Sequence, residues 1–354
     1  MSTVPFSERG GKARGCLDLV SGRYPAFVFG GGLGAFLPVF HFHDVTRDEL
    51  EPKLRYLADN GYRSVTANDI AAYVRGDLTL PPRSVGLCFD DAWRSLASVA
   101  APLLTQHGLT AITYAIPARI TERGGDDSPF VTWSELSALH ASGVIDVQSH
   151  TDSHSRIFAS PGVEDFVQPG YDATPLLNRP QLSAPPLLDF VTPANLGAPL
   201  YGMRSRMSDG RRALVSRDAH TNCLDLVARE GGPSFFSRRD WRNRLHAIVR
   251  AEPTAAFESE QVQSRAIEEE LARGRSILND RLKTDSVAHI CLPWGISGSR
   301  TEALLKRTGY RSAFANRLRG QHAVHAGDDP YWLKRLPNHY ITRLPGRGRQ
   351  YWFL

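Results

Sequence analysis

Lysine is scarce in this 354-residue chain, with 5 lysines against 37 arginines. Such a skew follows genomic codon usage more readily than a nucleic-acid surface. No long basic run interleaved with aromatics occurs, so no nucleic-acid partner is expected. Long apolar runs are also missing: no stretch of 18 apolar residues exists, which excludes a transmembrane helix. The opening segment from Met1 to Arg9 lacks a basic region followed by an apolar core, so no secretory leader is read there. The 4 cysteines, at positions 16, 88, 223 and 291, have none of the paired spacings of a disulfide framework and read as free buried thiols. Together these absences lead to the expectation of a cytoplasmic globular protein.

What is present is a composition of 42% hydrophobic and 22% charged residues, enough for one large core or two ordinary ones. Within it, Val85 to Phe89 reads as an apolar strand ending on Asp90 and Asp91. A second strand, Val144 to Ser149, ends on His150-Thr151-Asp152-Ser153-His154. Adjacent acids are usually a solvated turn, and the pair His41/His43 shows how easily close histidines arise. Both clusters, however, directly follow strand-like runs, where α/β folds place their chemistry. One carboxylate and two imidazoles are a suitable three-ligand set for a catalytic divalent metal, and the residues alone leave that reading and the solvated turn both open.

Cys88-Phe89-Asp90-Asp91-Ala92 resembles Thr-Phe-Asp-Asp-Gly, the first motif of the polysaccharide deacetylases with a NodB-homology domain, also called carbohydrate esterase family 4. His150-Thr151-Asp152-Ser153-His154 matches the second motif, His-Ser/Thr-x-x-His, at every position. Val131 to Leu136, followed by Ala141-Ser142-Gly143, is similar to the helix that precedes that motif in the family. The likeness covers residues 38 to 155 well and 258 to 345 more loosely. It implies an α/β fold, a distorted (β/α)7-type barrel. It further implies a metal held by Asp91, His150 and His154, Zn2+ with Co2+ or Ni2+ as alternatives, and Asp90 as general base. The third motif, Arg-Pro-x-Tyr, appears only as Leu292-Pro293-Trp294-Gly295, so the arginine that pairs with the catalytic aspartate is expected to be absent. Ala92 in place of glycine predicts an ordinary φ at that turn.

Along the chain, Gly30 to Gly34 between two apolar runs predicts a hairpin, with no helix start or Lys-Ser/Thr to make it a phosphate loop. Phe42-His43-Asp44-Val45 resembles the Tyr-His-x-Val that opens many family members. His43 there reads equally as a site residue or a packed core histidine. Leu50, Leu54 and Leu57 predict a helix closed by Gly61, and Asn68 is expected to cap the next one. Arg94 to His107 reads as a helix and Ala111 to Ile116 as a strand. Strands Val287 to Leu292 and Arg311 to Ala315 flank a helix at Thr301 to Thr308. That alternation predicts βα units in a parallel, closed or nearly closed barrel.

One catalytic domain, 1–354, is expected, interrupted at 156–257. Eight prolines between positions 161 and 199 predict an extended, rigid loop there. Such an insertion is expected over the barrel mouth as a lid, or as a peripheral subdomain for oligomer contact. Its cluster Arg204, Arg206, Arg211, Arg212 and Arg217 suits an anionic substrate, with a solvated face as the plainer reading. A polar helix from Glu258 to Lys283 follows.

For the chemistry, a metal lowers the pKa of a water and polarises a carbonyl, and a leaving amine needs a proton donor, for which His339 is the candidate. Trp93 and Trp294 offer faces for a sugar ring or are plain core residues, Arg204 and Arg206 are the substrate-binding cations, and a backbone amide near Ala92 or Trp93 completes an oxyanion site. The resulting expectation is a metal-dependent amidohydrolase removing an acetyl or formyl group from an N-acylated amino sugar, a small or carrier-linked intermediate. The alternatives are another C–N hydrolase of the same fold and a degenerate, non-catalytic sugar-binding member. The sequence carries no reading of oligomeric state.

Overall fold

The computed structural model describes residues 18, 20–123, 128–171, 176–182, 189–252, 256–315 and 322–350. Cys16, parts of the arm before residue 22 and parts of the proline-rich stretch lie outside them. In chain order the elements are β1 (Val39–Phe42), α1 (Arg47–Asp59), β2 (Arg63–Ser64), α2 (Ala67–Arg75), β3 (Ser84–Asp91), α3 (Ala101–Gln106), β4 (Ala111–Ala115), α4 (Trp133–Ala141) and β5 (Ile145–Ser149). Then come β6 (Arg156–Phe166), β7 (Pro180–Gln181), β8 (Pro199–Ser205), β9 (Ala213–Leu214), α5 (Arg217–Arg229), α6 (Trp241–Ala251), β10 (Ala256–Phe257) and α7 (Glu260–Leu282). The chain finishes with β11 (His289–Cys291), α8 (Ser299–Arg307), β12 (Ser312–Phe314) and β13 (Leu336–Pro337). Among the described residues, one compact unit takes His154–Glu269 and Gly298–Thr301, and the other takes the rest.

In the larger unit the strands run β12-β11-β5-β4-β3-β1-β13, with β2 added on β3, and every pairing is parallel. All eight residues of β3 are buried, the uniform pattern of a parallel strand covered on both faces. Gly86 is required within it, because a Cβ there would lie 2.9 Å from Val39 Cγ1 on β1. Leu333 bridges to Phe314 on β12, and three residues later β13 pairs with β1. One short segment thus touches both ends of the strand path and curls the sheet, as the expected α/β barrel requires.

Local signals explain the helices. Thr46 with Glu49, Thr66 with Asp69, and Thr132 with Glu135 each form a reciprocal capping box that satisfies amides at the helix start. The cap of α2 is therefore Thr66 and not Asn68. Leu50, Leu54 and Leu57 bury the inner face of α1.

Two expectations are corrected. Residues 26–29 form a single short helical turn and not the first arm of a hairpin, because β1 is already paired on both sides by β3 and β13. Nor is the proline-rich stretch irregular throughout: in the smaller unit β6 pairs with β7 and, antiparallel, with β8. Pro161 is accommodated because the β6–β8 pairing slips between Phe158 and Val163, where a missing N–H costs no ladder bond. Phe166, Cys223, Val227, Phe235 and Leu245 form one buried apolar cluster of that unit.

Candidate metal centre

Strand register brings the two carboxylates and the histidine motif together. Asp91 pairs with Ala115 on β4, and Ala115 pairs with Ser149 on β5, so the three share one row at the C-terminal end of the sheet. The next residue, His150, donates its N–H to the Ala115 carbonyl at 2.8 Å. A small residue on the intervening strand leaves the two flanking side chains room to approach across it. Both turns leave the sheet through left-handed backbone: φ is 71° at Asp91, 58° at Ala92, 67° at Thr151 and 56° at His154. The ordinary φ expected at Ala92 is thus corrected: the turn after β3 needs positive φ at two successive residues, and Ala92 accepts it while its carbonyl takes the Val131 N–H at 3.0 Å. Each such non-glycine residue costs on the order of 1–3 kcal/mol, which the surrounding contacts must offset.

One donor atom each from Asp91, His150 and His154 lies within 4.8 Å of the others, and all three residues are buried. His150 Nδ1 is 2.5 Å from the Cys291 carbonyl oxygen. A carbonyl only accepts, so Nδ1 carries the proton, and the Nε2 lone pair points elsewhere. Nε2 lies 3.4 Å from Asp91 Oδ1. Two donors each about 2.1 Å from a tetrahedral ion sit about 3.4 Å apart, so the spacing suits a shared cation. Trp93 Nε1 donates to the other oxygen, Asp91 Oδ2, at 2.9 Å. Burial raises the Asp91 carboxyl above its usual range, opposed first by His150. The donor set and its spacing fit a divalent metal.

A second group, Asp90, His150 and Cys291, is equally close. It is a poor cation site: both Asp90 oxygens already face a guanidinium, and burial pushes the Cys291 thiol well up, keeping it protonated.

That guanidinium belongs to Arg335, in the segment that closes the sheet. Its Nη1 donates to Asp90 Oδ1 at 2.6 Å and its Nη2 to Oδ2 at 2.7 Å, a bidentate pair. Arg335 also sits 5.7 Å from the Tyr114 ring centroid and 5.5 Å from that of Phe314, which frames it between aromatic faces. Burial opposes ionisation of Asp90, yet the Arg335 charge outweighs it and holds the carboxyl well below the usual range. The arginine expected to be absent is therefore present, delivered from elsewhere in the chain.

The remaining sequence candidates divide. His43, at the end of β1, has Nε2 3.7 Å from Asp90 Oδ2 with its side chain 56% exposed. His339 is exposed on the turn after β13. Neighbouring protein covers part of its ring and lowers its pKa by desolvation, followed by Arg343 and Lys53, with neither aspartate among the groups acting on it. Trp93 stacks on Phe130 at 4.8 Å and spends its N–H on Asp91. Trp294 is half-buried in a turn with φ 56°. In the smaller unit Arg206 is buried and paired with Glu258, and the Arg212 amide donates to the same carboxylate at 2.7 Å. Arg211 Nε donates to the Glu258 carbonyl at 2.8 Å, and Arg204 is half-buried on β8. Three of the five arginines, Arg206, Arg211 and Arg212, are thus engaged within their own unit. Arg335 was missed because no motif surrounds it. Arg-Leu-Pro before a histidine is unremarkable in a sequence.

Residues 77–168 match the family model for polysaccharide deacetylases, which bears out the resemblance over that segment. Over 130 residues the chain is 28% identical to the poly-β-1,6-N-acetyl-D-glucosamine N-deacetylase of Escherichia coli K12, a match of 34% of this chain and 19% of that protein. The matched segment thus spans about a fifth of the length of the curated relatives first matched. Among solved structures, the BpsB deacetylase domain from Bordetella bronchiseptica superposes with a TM-score of 0.56 at 14% identity, covering 87% of this chain and 97% of that one. IcaB from Ammonifex degensii gives 0.51 at 18% identity, over 88% and 95%. At these identities the two likenesses speak for the fold.

Proposed function

We propose that this polysaccharide-deacetylase-like chain is a metal-dependent N-deacetylase that hydrolyses the N-acetyl group of an amino sugar. The observation that carries the reading is a pair of adjacent aspartates with divided surroundings: Asp91 faces two histidines, while Asp90 faces Arg335 and is held ionised. Asp91, His150 and His154 would hold the cation. When bound, a divalent ion there supplies charge that polarises the acyl carbonyl and acidifies a water.

The chain's own groups then have separable tasks. Asp90 keeps free lone pairs beside the guanidinium and takes a proton from the attacking water. His43, exposed and 3.7 Å from Asp90, is better placed than His339 to protonate the departing amine. The argument for a degenerate, sugar-binding member rested on a missing arginine, and Arg335 removes that argument. The relative's printed substrate extends the range to test from carrier-linked intermediates to β-1,6-linked N-acetylglucosamine oligomers. A cytoplasmic setting remains part of the proposal, supported by the buried free thiols Cys88, Cys223 and Cys291. Among the described residues no helix is long and apolar enough to cross a membrane.

The test is metal analysis of the purified protein together with release of free amine from those oligomers, carrier-linked N-acetyl sugars and their formyl analogues. Asp91→Asn is expected to lose metal affinity, with activity partly restored by excess metal. Asp90→Asn is expected to keep its metal and lose roughly 10²- to 10⁴-fold in turnover. Full activity in Asp90→Asn, or equal metal loss in both variants, sinks the division of roles.

A further inference from the structure

Helix α7 carries Gly274 in its interior, a residue that weakens a helix unless something needs the space. A Cβ built there would lie 2.7 Å from the Thr151 carbonyl carbon, 2.9 Å from the Asp152 nitrogen and 2.9 Å from Ser149 Oγ. The helix backbone therefore rests directly on the turn that carries His150, and two of those three atoms are main chain and cannot swing aside. One turn earlier, Glu270 is 2% exposed and binds the same segment. The Ser153 N–H donates to Glu270 Oε2 at 3.1 Å, and the Ser153 hydroxyl donates to Oε1. The Asp152 N–H donates to the Glu270 carbonyl at 3.1 Å, and Arg273 Nε to Asp152 Oδ2 at 2.7 Å. On the strand side, Tyr310 Oη lies 2.8 Å from Ser149 Oγ and 2.9 Å from the Leu271 carbonyl, tying the end of β5 to the same helix.

These contacts converge on the residues immediately after His150, where Thr151 is held at φ 67°. The direction of the His150 imidazole depends on that backbone. We infer that Glu270 and Gly274 are positioning residues for the metal-binding histidine motif: Glu270 clamps Ser153 and Asp152, and Gly274 admits the helix close enough for the clamp to reach. The inference rests on the metal reading above. Neither residue touches the reacting atoms, so the effect is expected in metal affinity, with turnover recovering when metal is saturating.

The test measures cation affinity by chelator competition on metal-free full-length protein, with Zn2+ and Co2+ as probes and circular dichroism as the folding control. Glu270→Gln removes the charge and one acceptor and is expected to weaken affinity by about 10- to 100-fold, the usual range for groups that orient ligands. Gly274→Ala raises helix propensity, so a role confined to the helix predicts unchanged affinity, whereas the clamp predicts a loss of similar size. Affinity within about 3-fold of wild type in folded Glu270→Gln and Ser153→Ala overturns the inference, whether or not Gly274→Ala folds. Wild-type protein that binds no cation, like a His150→Ala control, instead overturns the metal reading from which the inference starts.

Discussion

At the scale of single residues, the site turns on how two neighbouring carboxylates in one strand end acquire opposite surroundings. Successive side chains of a strand diverge, so although both aspartates lie close to His150, β3 delivers Asp90 to a guanidinium and Asp91 to the second imidazole, His154. This much was readable in advance, because each motif is contiguous and ends a strand. Arg335 was not: it lies 245 residues from Asp90 in sequence, and only the curl of the sheet brings them into contact. A depressed pKa makes Asp90 a weaker base taken alone, so Arg335 is best understood as fixing the carboxylate's direction and keeping it free of protons. Replacing Arg335 with Met leaves the carboxyl buried without its counter-charge. Burial then loses its main opponent, with only His150 and His43 still acting against it, and the Asp90 pKa rises, so the acid limb of kcat/KM should move to higher pH, with turnover down by roughly 10²-fold or more and bound metal retained. A pH–rate profile beside metal analysis checks this, and an unchanged profile would show that Arg335 only packs.

At the scale of elements, what the sequence made legible was local. Leucine spacing located α1, the likeness of Val131 to Leu136 to a family helix marked α4, and short runs ending on the carboxylate and histidine motifs located β3 and β5, because each signal lies within a few residues of the element it specifies. What it hid was long-range pairing: β1 lost its expected hairpin partner to β3 and β13, and the proline-rich stretch found a strand partner in β8. Arg206 is turned inward for a related reason, since Glu258, 52 residues away, accepts from it and from the Arg212 amide. The carboxylate, 4% exposed as a residue, ties β8 and the start of β9 to the segment before α7. Removing one member of such a buried pair strands the other, at about 3–5 kcal/mol, while replacing both with apolar residues of similar volume is close to neutral. Arg206→Met should therefore lower the urea midpoint, the double variant with Glu258→Leu should recover most of the loss, and neither should change the ratio of KM for anionic and neutral substrates. A selective rise in KM for the anionic substrate in folded Arg206→Met would restore the substrate-binding role.

At the scale of the whole molecule, two histidines of the parallel sheet, His289 and His41, contribute to how stability depends on pH. His289, at the start of β11, lies 2.7 Å from Ser312 Oγ through Nδ1 and 3.0 Å from Asn68 Oδ1 through Nε2, joining β12 and α2 to the sheet. Burial lowers its pKa to about 4, with Arg311 and Arg75 adding to the effect. His41 on β1 is lowered further, to about 3, again chiefly by burial. Both are folded as neutral rings, whereas in the unfolded chain each titrates near 6.5. Below that value the unfolded state binds protons that the folded state refuses, so stability is full above about pH 6.5 and falls as the pH drops toward the folded values. Each group alone has a limiting slope of about 1.4 kcal/mol per pH unit, and for His289 the total over its window is roughly 3 kcal/mol. The raised carboxyls Asp91 and Asp146 act in the opposite sense as the pH falls, so the histidine contribution is read by difference, from urea midpoints of metal-free wild type and His289→Gln between pH 7 and pH 4. His289→Gln retains a donor and an acceptor but cannot titrate, so its curve should be flatter by up to that amount even where its stability at pH 7 is lower. Parallel curves for wild type and His289→Gln would mean that the ring is already protonated in the fold, and the hydrogen bond to Asn68 would have to be paired with an ammonium-like ring instead of a neutral one.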